Sequence, residues 1–308
     1  MPVLDSISLH SKGVITRKHT YLPLAIGSVL GSNLTIIGST SMLNACGLFA
    51  NSSGGHPIGF FEPALIALPS CIVTILIYMT FGYSFQKKCF DFPERSPQVK
   101  EGPASGTCHK TKGKMRVVLL VSGLCVIGFI SGSFNLGAVA LAGAMALVLT
   151  RCIDLRTALK NMNWETVFMV AGSIGFAKGI EVSGAGLLIS ETAIRFCGPL
   201  GESPFGMCVL IMLLSTILSN FLSNNAVIAM IVPISMMIAD GMGFSALPFV
   251  IAIAVATNID TSTPIGVTTI TMTLSAGYRF KDYFRVGGLI NLISILVTIP
   301  ALYIVYFM

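Results

Sequence analysis

The segment Ser219–Asn225 concentrates the chain's strongest potential for binding chemistry. It carries five uncharged polar side chains, within a run from 203 to 239 that contains no Asp, Glu, Lys or Arg. Hydrocarbon offers no water to such groups, so each of them would need an internal partner there. Two interpretations follow: Ser and Asn side chains that join two helices by hydrogen bonds, or a helix broken at mid-depth whose carbonyl and side-chain oxygens hold an ion.

Composition shows that these groups do lie among membrane helices. The chain is 54% hydrophobic and only 10% charged, whereas a soluble domain carries about 25% charged residues. Spanning a bilayer takes about 20 residues, which predicts roughly seven to nine passes or half-passes of a cell membrane. The apolar stretches that reach or approach this length are 62–85, 117–150, 164–180, 205–239, 247–277 and 286–308. The residues before Tyr21 contain no charged-then-apolar leader, so no cleavable signal is expected.

Several kinds of chemistry are not expected. The eight Cys form no CxxC pair, and the four His have no second ligand at zinc spacing. There is no Ser/His/Asp arrangement and no Gly-rich phosphate loop, so the chain is predicted not to be an enzyme and to need no cofactor beyond a coupling ion. Segment 87–116 holds eight basic and three acidic residues. A loop that binds nucleic acid or lipid could have this composition, but a cytoplasmic linker that obeys the positive-inside rule is favoured, so no nucleic-acid partner is expected.

The linker separates two parts of the chain that resemble each other. Each part has a Leu-Pro pair, then an Ile-Gly motif rich in Ser and Thr, then an aromatic cluster and a final apolar helix. In the first part these elements are 22–23, 37–41, 59–61 and 62–85, and in the second 247–248, 265–269, 278–280 and 286–308.

The charges of the connecting segments are inverted between the two parts. Segment 10–19 has three Lys or Arg residues and its counterpart 240–246 has none, whereas 51–62 has none and its counterpart 278–285 has three. Lys and Arg stay on the cytoplasmic side, so corresponding loops lie on opposite sides of the membrane. The two parts are therefore predicted to be inverted copies.

Inverted repeats are typical of secondary transporters, whose sites lie where discontinuous helices meet near mid-bilayer. The predicted domains are 1–86 as the remainder of the first repeat, 87–116 as the cytoplasmic linker and 117–308 as the second repeat. The predicted fold is an all-α polytopic membrane protein with a re-entrant hairpin. The predicted discontinuities are Gly31–Asn44, Ser219–Asn225 and Asn258–Thr269.

Three motifs carry a resemblance to a known family. Ser-x-x-x-Ser-Asn-Asn at Ser219–Asn225, Thr-Pro-Ile-Gly at Thr263–Gly266 and Gly-Tyr-Arg-Phe at Gly277–Phe280 are similar to those of the divalent anion/sodium symporter family, whose wider relatives include citrate and arsenite permeases. The resemblance covers nearly all of 20–308 outside the linker. It implies a sodium- or proton-coupled carrier of a small anion such as a dicarboxylate, citrate or sulfate, and it suggests a homodimer.

The resemblance also implies site residues. The residues implied for a sodium ion are Ser219, Ser223, Asn224 and the carbonyl of Gly266, with Gly38 as half of a second site. Those implied for the anion are Asn224, Asn225, Thr268, Ser39 and Thr40. Neutral hydroxyl, amide and carbonyl oxygens suit a hard cation, and helix N-termini favour an anion.

Three residues depart from this pattern. Met42 and Ile270 stand where the family usually has Asn after its Gly-containing loop, so the substrate cannot be carried over from the family. Asp260 places a carboxylate at membrane depth, and such a residue is a functional candidate by default, here as a proton carrier. The alternative is that Asp260 lies nearer the surface or pairs locally.

The first repeat is expected to be incomplete. Residues 1–3 line up with 232–234, so the first repeat's own hairpin motif would fall before Met1. This predicts a truncated or mis-started version of a longer permease, or a half-transporter that a partner completes.

Three functions remain open from the sequence. Ion-coupled anion transport leads, followed by a cation/proton antiporter or an oxyanion exporter on the same fold, with Asp260 as the carrier. A non-transporting scaffold or partner-binding subunit is the third. Replacing Ser223 or Asn224 with Ala would abolish flux under the first and leave the third unaffected.

Overall fold

A computed structural model describes residues 17–52, 58–90, 112–131, 136–160, 162, 164–264 and 266–308. The regular elements in these ranges are helices. They are α1 Arg17–Ser32, α2 Thr40–Ser52, α3 Ala64–Ile77, α4 Tyr83–Cys89, α5 Lys112–Ser131, α6 Leu136–Leu149, α7 Leu155–Lys160, α8 Trp164–Ser183, α9 Ala185–Cys197, α10 Pro199–Glu202, α11 Pro204–Ser219, α12 Asn224–Gly241, α13 Leu247–Ile259, α14 Thr268–Thr271, α15 Phe280–Asp282 and α16 Gly288–Tyr306. Two π-helical turns, Tyr78–Gly82 and Tyr283–Gly287, and one 3-10 helix, Met272–Ala276, complete the set.

Within the described residues, four helices are long and apolar enough to cross a membrane. They are Ala64–Gly82, Lys114–Ser131, Asn224–Gly241 and Phe280–Tyr306. Shorter apolar helices include Pro204–Ser219 and Leu247–Ile259. The prediction of an all-α, multi-pass membrane protein is confirmed.

The described helices fall into two compact units. One is drawn from residues up to 96 and from 168 onwards, and the other from 97–167. In the smaller unit α5 packs on α6, and small residues allow the close approach because Gly128 and Gly143 face Val139 and Cys125. The predicted division into two inverted repeats and a linker stays a prediction, and residues 91–111 of that linker lie outside the described residues.

Helix α13 lies at the centre of the larger unit. Every residue from Pro248 to Ile259 is buried, and α13 contacts α1, α2, α11, α12 and α16. A helix that is apolar all round suits either a protein interior or a membrane span, and the helices around α13 place it in the interior of this unit. The polar residues that follow Ile259 are therefore delivered into the interior of this unit.

Three helices break where breaks are predicted. Helix α1 ends at Ser32 and α2 begins at Thr40, α11 ends at Ser219 and α12 begins at Asn224, and α13 ends at Ile259 and α14 begins at Thr268. The causes are local: Ser223 caps α12 by accepting the N–H of Ala226 at 3.4 Å, and Pro264 disfavours helical backbone at the residue before it. The three predicted discontinuities are confirmed.

Candidate ion-binding site

The tip segment, defined as residues 219–225, ends one helix and starts the next. Ser219 is fully buried, and its hydroxyl donates to the carbonyl of Thr216 at 2.9 Å. As the last residue of α11, Ser219 presents a main-chain oxygen that lacks a partner in its own helix. Ser223 is exposed and its hydroxyl caps α12. The structure thus brings the carbonyl of Ser219, and not its hydroxyl, towards the neighbouring loop.

Three oxygens converge beside Gly266 in the loop 260–267, of which residue 265 lies outside the described residues. A Cβ on this residue would meet the carbonyl oxygen of Ser219, would lie 2.5 Å from Oδ2 of Asp260 and would lie 3.3 Å from Oδ1 of Asn224. Glycine is required here because any side chain would fill the space that these oxygens surround. We call this arrangement the oxygen cradle.

Two of the three cradle oxygens are buried without a hydrogen-bond partner. They are Oδ1 of Asn224 and Oδ2 of Asp260, on residues that are 8% and 0% exposed. Leaving a buried polar atom unpaired costs about 1–3 kcal/mol, and an unpaired carboxylate costs more. A hard cation would satisfy both atoms together with the carbonyl of Ser219, so the residues present fit a sodium ion.

Asn258 orients Asn224 within the site. Its Oδ1 accepts the Nδ2 of Asn224 at 3.3 Å and the hydroxyl of Ser41 at 2.6 Å, while its Nδ2 donates to the hydroxyl of Ser39 at 2.7 Å. Asn224 therefore directs its nitrogen to Asn258 and its oxygen to the cradle, an assignment that rests on the network. Sequence reasoning missed Asn258 as a site residue, although an amide in the last turn of an apolar helix was the available signal.

The first loop and the tip segment also meet through a second pair of amides. Nδ2 of Asn44 donates to Oδ1 of Asn225 at 3.0 Å. Asn44 lies one turn into α2 and Asn225 in the first turn of α12, so the N-terminal ends of both helices lie close to this bond. Helix N-termini carry partial positive charge and favour an anion.

The loop 260–267 is tied to the tip segment by a hydroxyl. Thr263 donates to the carbonyl of Asn220 at 2.9 Å, and the backbone N–H of Ser262 donates to Oδ1 of Asp260 at 3.3 Å. Asp260 is fully buried, and only one of its two carboxylate oxygens has a hydrogen-bond partner, the N–H of Ser262. Its depth in the membrane stays a prediction, and local pairing accounts for Oδ1 but not for Oδ2.

The remaining predicted site residues are Gly38, Ser39, Thr40 and Thr268. A Cβ on Gly38 would contact the carbonyl of Ser32, so Gly38 folds back on the end of α1. Ser39 caps α2 by accepting the N–H of Met42 at 3.1 Å, and Thr40 is exposed. Thr268 begins α14, and its side chain lies outside the described part of the chain.

Two further observations concern the residues that depart from the family pattern and the ligands available for a metal ion. Met42 and Ile270 are both fully buried, and they fill apolar space where an amide would have added polar groups. Among the described residues, no group of three or more His, Cys, Asp or Glu side chains is placed to hold a metal ion. The cradle is therefore a set of neutral oxygens with one carboxylate.

The chain matches known transporters over most of its length. A family model described as "Citrate transporter" matches residues 2–242 and 188–308. An uncharacterized transporter of Synechocystis sp. is 28% identical over 191 residues, which are 62% of this chain and 30% of that protein. The sodium-dependent dicarboxylate transporter SdcS of Staphylococcus saprophyticus is 25% identical over an alignment of 314 positions, which covers 94% of this chain and 59% of that protein.

A probable sodium/sulfate cotransporter of Chlamydomonas reinhardtii is 23% identical over an alignment of 184 positions, which covers 58% of this chain and 20% of that protein. The chain therefore spans less than two thirds of the length of these relatives. Because the family model covers nearly the whole chain, this protein belongs to the citrate transporter family, within the wider group of divalent anion/sodium symporters.

Proposed function

We propose that this protein acts in secondary active transport of a small anion, such as a dicarboxylate, citrate or sulfate, coupled to sodium. The observation that carries the proposal is the oxygen cradle at Gly266. It joins two broken helices, and its two unpartnered oxygens are buried. Sites of this kind, at the breaks of discontinuous helices, are where secondary transporters bind their coupling ions.

The proposed anion position is next to the cradle, near the bond between Asn44 and Asn225. The N-terminal ends of α2 and α12 meet there, and backbone N–H groups at helix starts bind carboxylate and sulfate groups. A cation in the cradle would add positive charge on the same side. The names of two relatives, a dicarboxylate transporter and a sulfate cotransporter, support an anionic substrate. A homodimer stays a prediction.

Uptake into proteoliposomes tests the proposal. The purified chain is reconstituted, and radiolabelled succinate, citrate and sulfate are supplied with an inward sodium gradient or with choline in its place. We expect at least one anion to accumulate only with sodium, and we expect Asn224→Ala to abolish that accumulation. The matched control is Ser235→Ala, which removes a buried hydroxyl further along the same helix that bonds locally to Val232.

Two results would contradict the proposal. If the protein is properly inserted and sodium drives the uptake of none of the anions tested, the proposal is contradicted. Equal uptake by Asn224→Ala and Ser235→Ala would show that transport does not depend on the cradle.

A second candidate is proton-coupled exchange, including oxyanion export, with Asp260 as the carrier. The observation in its favour is the unpartnered Oδ2 of Asp260 in the buried cradle. Uptake driven by a proton gradient in the absence of sodium, and lost in Asp260→Asn, would favour this candidate over sodium coupling.

A further inference from the structure

We infer that the carboxylate of Asp260 is a direct, charged ligand of the cation site, and that the site therefore holds its cation without help from the anion. This inference rests on the proposed function, because it assumes that the cradle binds a cation. It adds a ligand that changes the charge of the site from neutral to negative.

The position of Oδ2 is the first step. It lies 2.5 Å from the place that a Cβ of Gly266 would occupy, the same place that Oδ1 of Asn224 and the carbonyl of Ser219 approach. Asp260 is 0% exposed and its Oδ2 has no hydrogen-bond partner. The free oxygen therefore points into the cradle and away from water.

The carboxylate is also held in place, through its other oxygen and through the residues that follow it. Its other oxygen accepts the N–H of Ser262, and the hydroxyl of Ser262 accepts Nδ2 of Asn291 at 3.0 Å. On the next residue, Thr261 donates its hydroxyl to the carbonyl of Gly287 at 2.9 Å. A Cβ on Gly287 would contact the carbonyl of Thr261, so the backbones pack directly. The segment leading into α16 thus fixes the residues that follow Asp260, and a fixed carboxylate is a prepared ligand.

The charge of the site follows from this ligand set. A cation held by neutral oxygens leaves a net positive charge, which an anionic substrate can compensate. A monovalent cation beside the Asp260 carboxylate leaves no net charge, because the two cancel. The empty cradle is the costly state here, since it leaves a buried carboxylate without a counter-charge. The cradle is therefore expected to bind its cation in the absence of the anion.

Sodium-dependent thermal unfolding of the purified chain tests the inference. Sodium chloride replaces choline chloride at constant ionic strength, and no transported anion is present. We expect sodium to raise the unfolding temperature of the wild type. We expect Asp260→Asn, which keeps the shape and one oxygen, to raise the half-saturating sodium concentration by about tenfold or more because a close charge is removed. Asp240→Asn, at the exposed far end of α12, is the matched control and should behave as the wild type.

The outcomes separate the inference from the function beneath it. A sodium response that is the same in Asp260→Asn and in the wild type overturns the inference alone. A wild type whose unfolding temperature ignores sodium, and whose anion uptake also ignores sodium, overturns the sodium site itself and the inference with it. A sodium response that appears only when the transported anion is added also overturns the inference.

A measurement on the wild type keeps the test independent of how the variant folds. Dicyclohexylcarbodiimide, an apolar reagent that modifies carboxyl groups in apolar surroundings, is applied with sodium or with choline, and peptide mass spectrometry locates the adduct. We expect sodium to protect Asp260 in a concentration-dependent way. Equal modification of Asp260 in both salts would overturn the inference.

Discussion

The two unwound loops, 33–39 and 260–267, each begin with a buried polar residue, and these two residues differ in charge. Asn33 directly follows α1 and Asp260 directly follows α13. Both are buried, at 1% and 0% exposure, and each has one side-chain oxygen without a hydrogen-bond partner. Each loop also contains a glycine, Gly38 or Gly266, that packs where a Cβ would not fit.

The surroundings of the two glycines separate the loops. Gly38 packs against the main chain of Ser32 at the end of its own helix. Gly266 packs among oxygens of Ser219, Asp260 and Asn224, which come from a second broken helix as well as from its own loop. The glycine of the first loop therefore packs on its own helix, whereas the glycine of the second loop packs on the tip segment. Three oxygens, one of them charged, surround the Cβ position of Gly266, whereas the atoms nearest to that position of Gly38 belong to Ser32.

This difference predicts that substitutions of the two glycines have different effects, and that Gly266→Ala has the largest effect. The new Cβ would occupy the centre of the cradle, so we expect the sodium-dependent rise in unfolding temperature to disappear and sodium-driven uptake with it. Overpacking also costs about 1–3 kcal/mol of stability. Thermal unfolding across sodium concentrations, with uptake into proteoliposomes, measures both effects.

Two further glycine variants sharpen the result. Gly38→Ala is expected to lower the unfolding temperature, because its Cβ meets main-chain atoms that cannot move aside, while the sodium response stays. Gly31→Ala places its Cβ in open space and should leave both properties unchanged. A sodium response retained by Gly266→Ala, or lost in Gly38→Ala, would contradict the distinction between the loops.

Asn33→Asp tests whether the first loop can take the charge that the second carries. A buried carboxylate without a counter-charge is strongly destabilising, so we expect a loss of stability of the order of 3–5 kcal/mol. Added sodium should not restore it. Chemical denaturation of the reconstituted or detergent-solubilised protein, with sodium or choline present, measures the change.

Asn33→Ala serves as the control for that experiment, because it removes the amide without adding charge and should cost less. If sodium stabilised Asn33→Asp more strongly than the wild type, the first loop would be able to bind a second cation. The family resemblance implies such a second site at Gly38.

The sequence predicted the breaks better than it predicted the ligands. Ser, Asn, Gly and Pro in otherwise apolar runs located the three interruptions to within a few residues, because such residues interrupt helices through local physics. Which atoms face each other depends on tertiary packing. The sequence predicted Ser219 without saying which of its oxygens faces the loop, and it did not predict Asn258, because neither the direction of a main-chain oxygen nor a hydrogen bond over 34 residues is encoded in a local motif.

Asn258→Ala is expected to have the smallest effect, because Asn258 links the loops without lying in the cradle. The substitution frees the hydroxyls of Ser39 and Ser41 and the amide of Asn224, which costs about 1–3 kcal/mol. Asn224 then loses the partner that directs its oxygen to the cation, so the half-saturating sodium concentration should rise severalfold, less than for Asp260→Asn. Thr257→Val, which removes only a local bond to Ala254, is the control. If both variants showed the same sodium response, Asn258 would stabilise the packing between the loops without affecting the sodium affinity of the cradle.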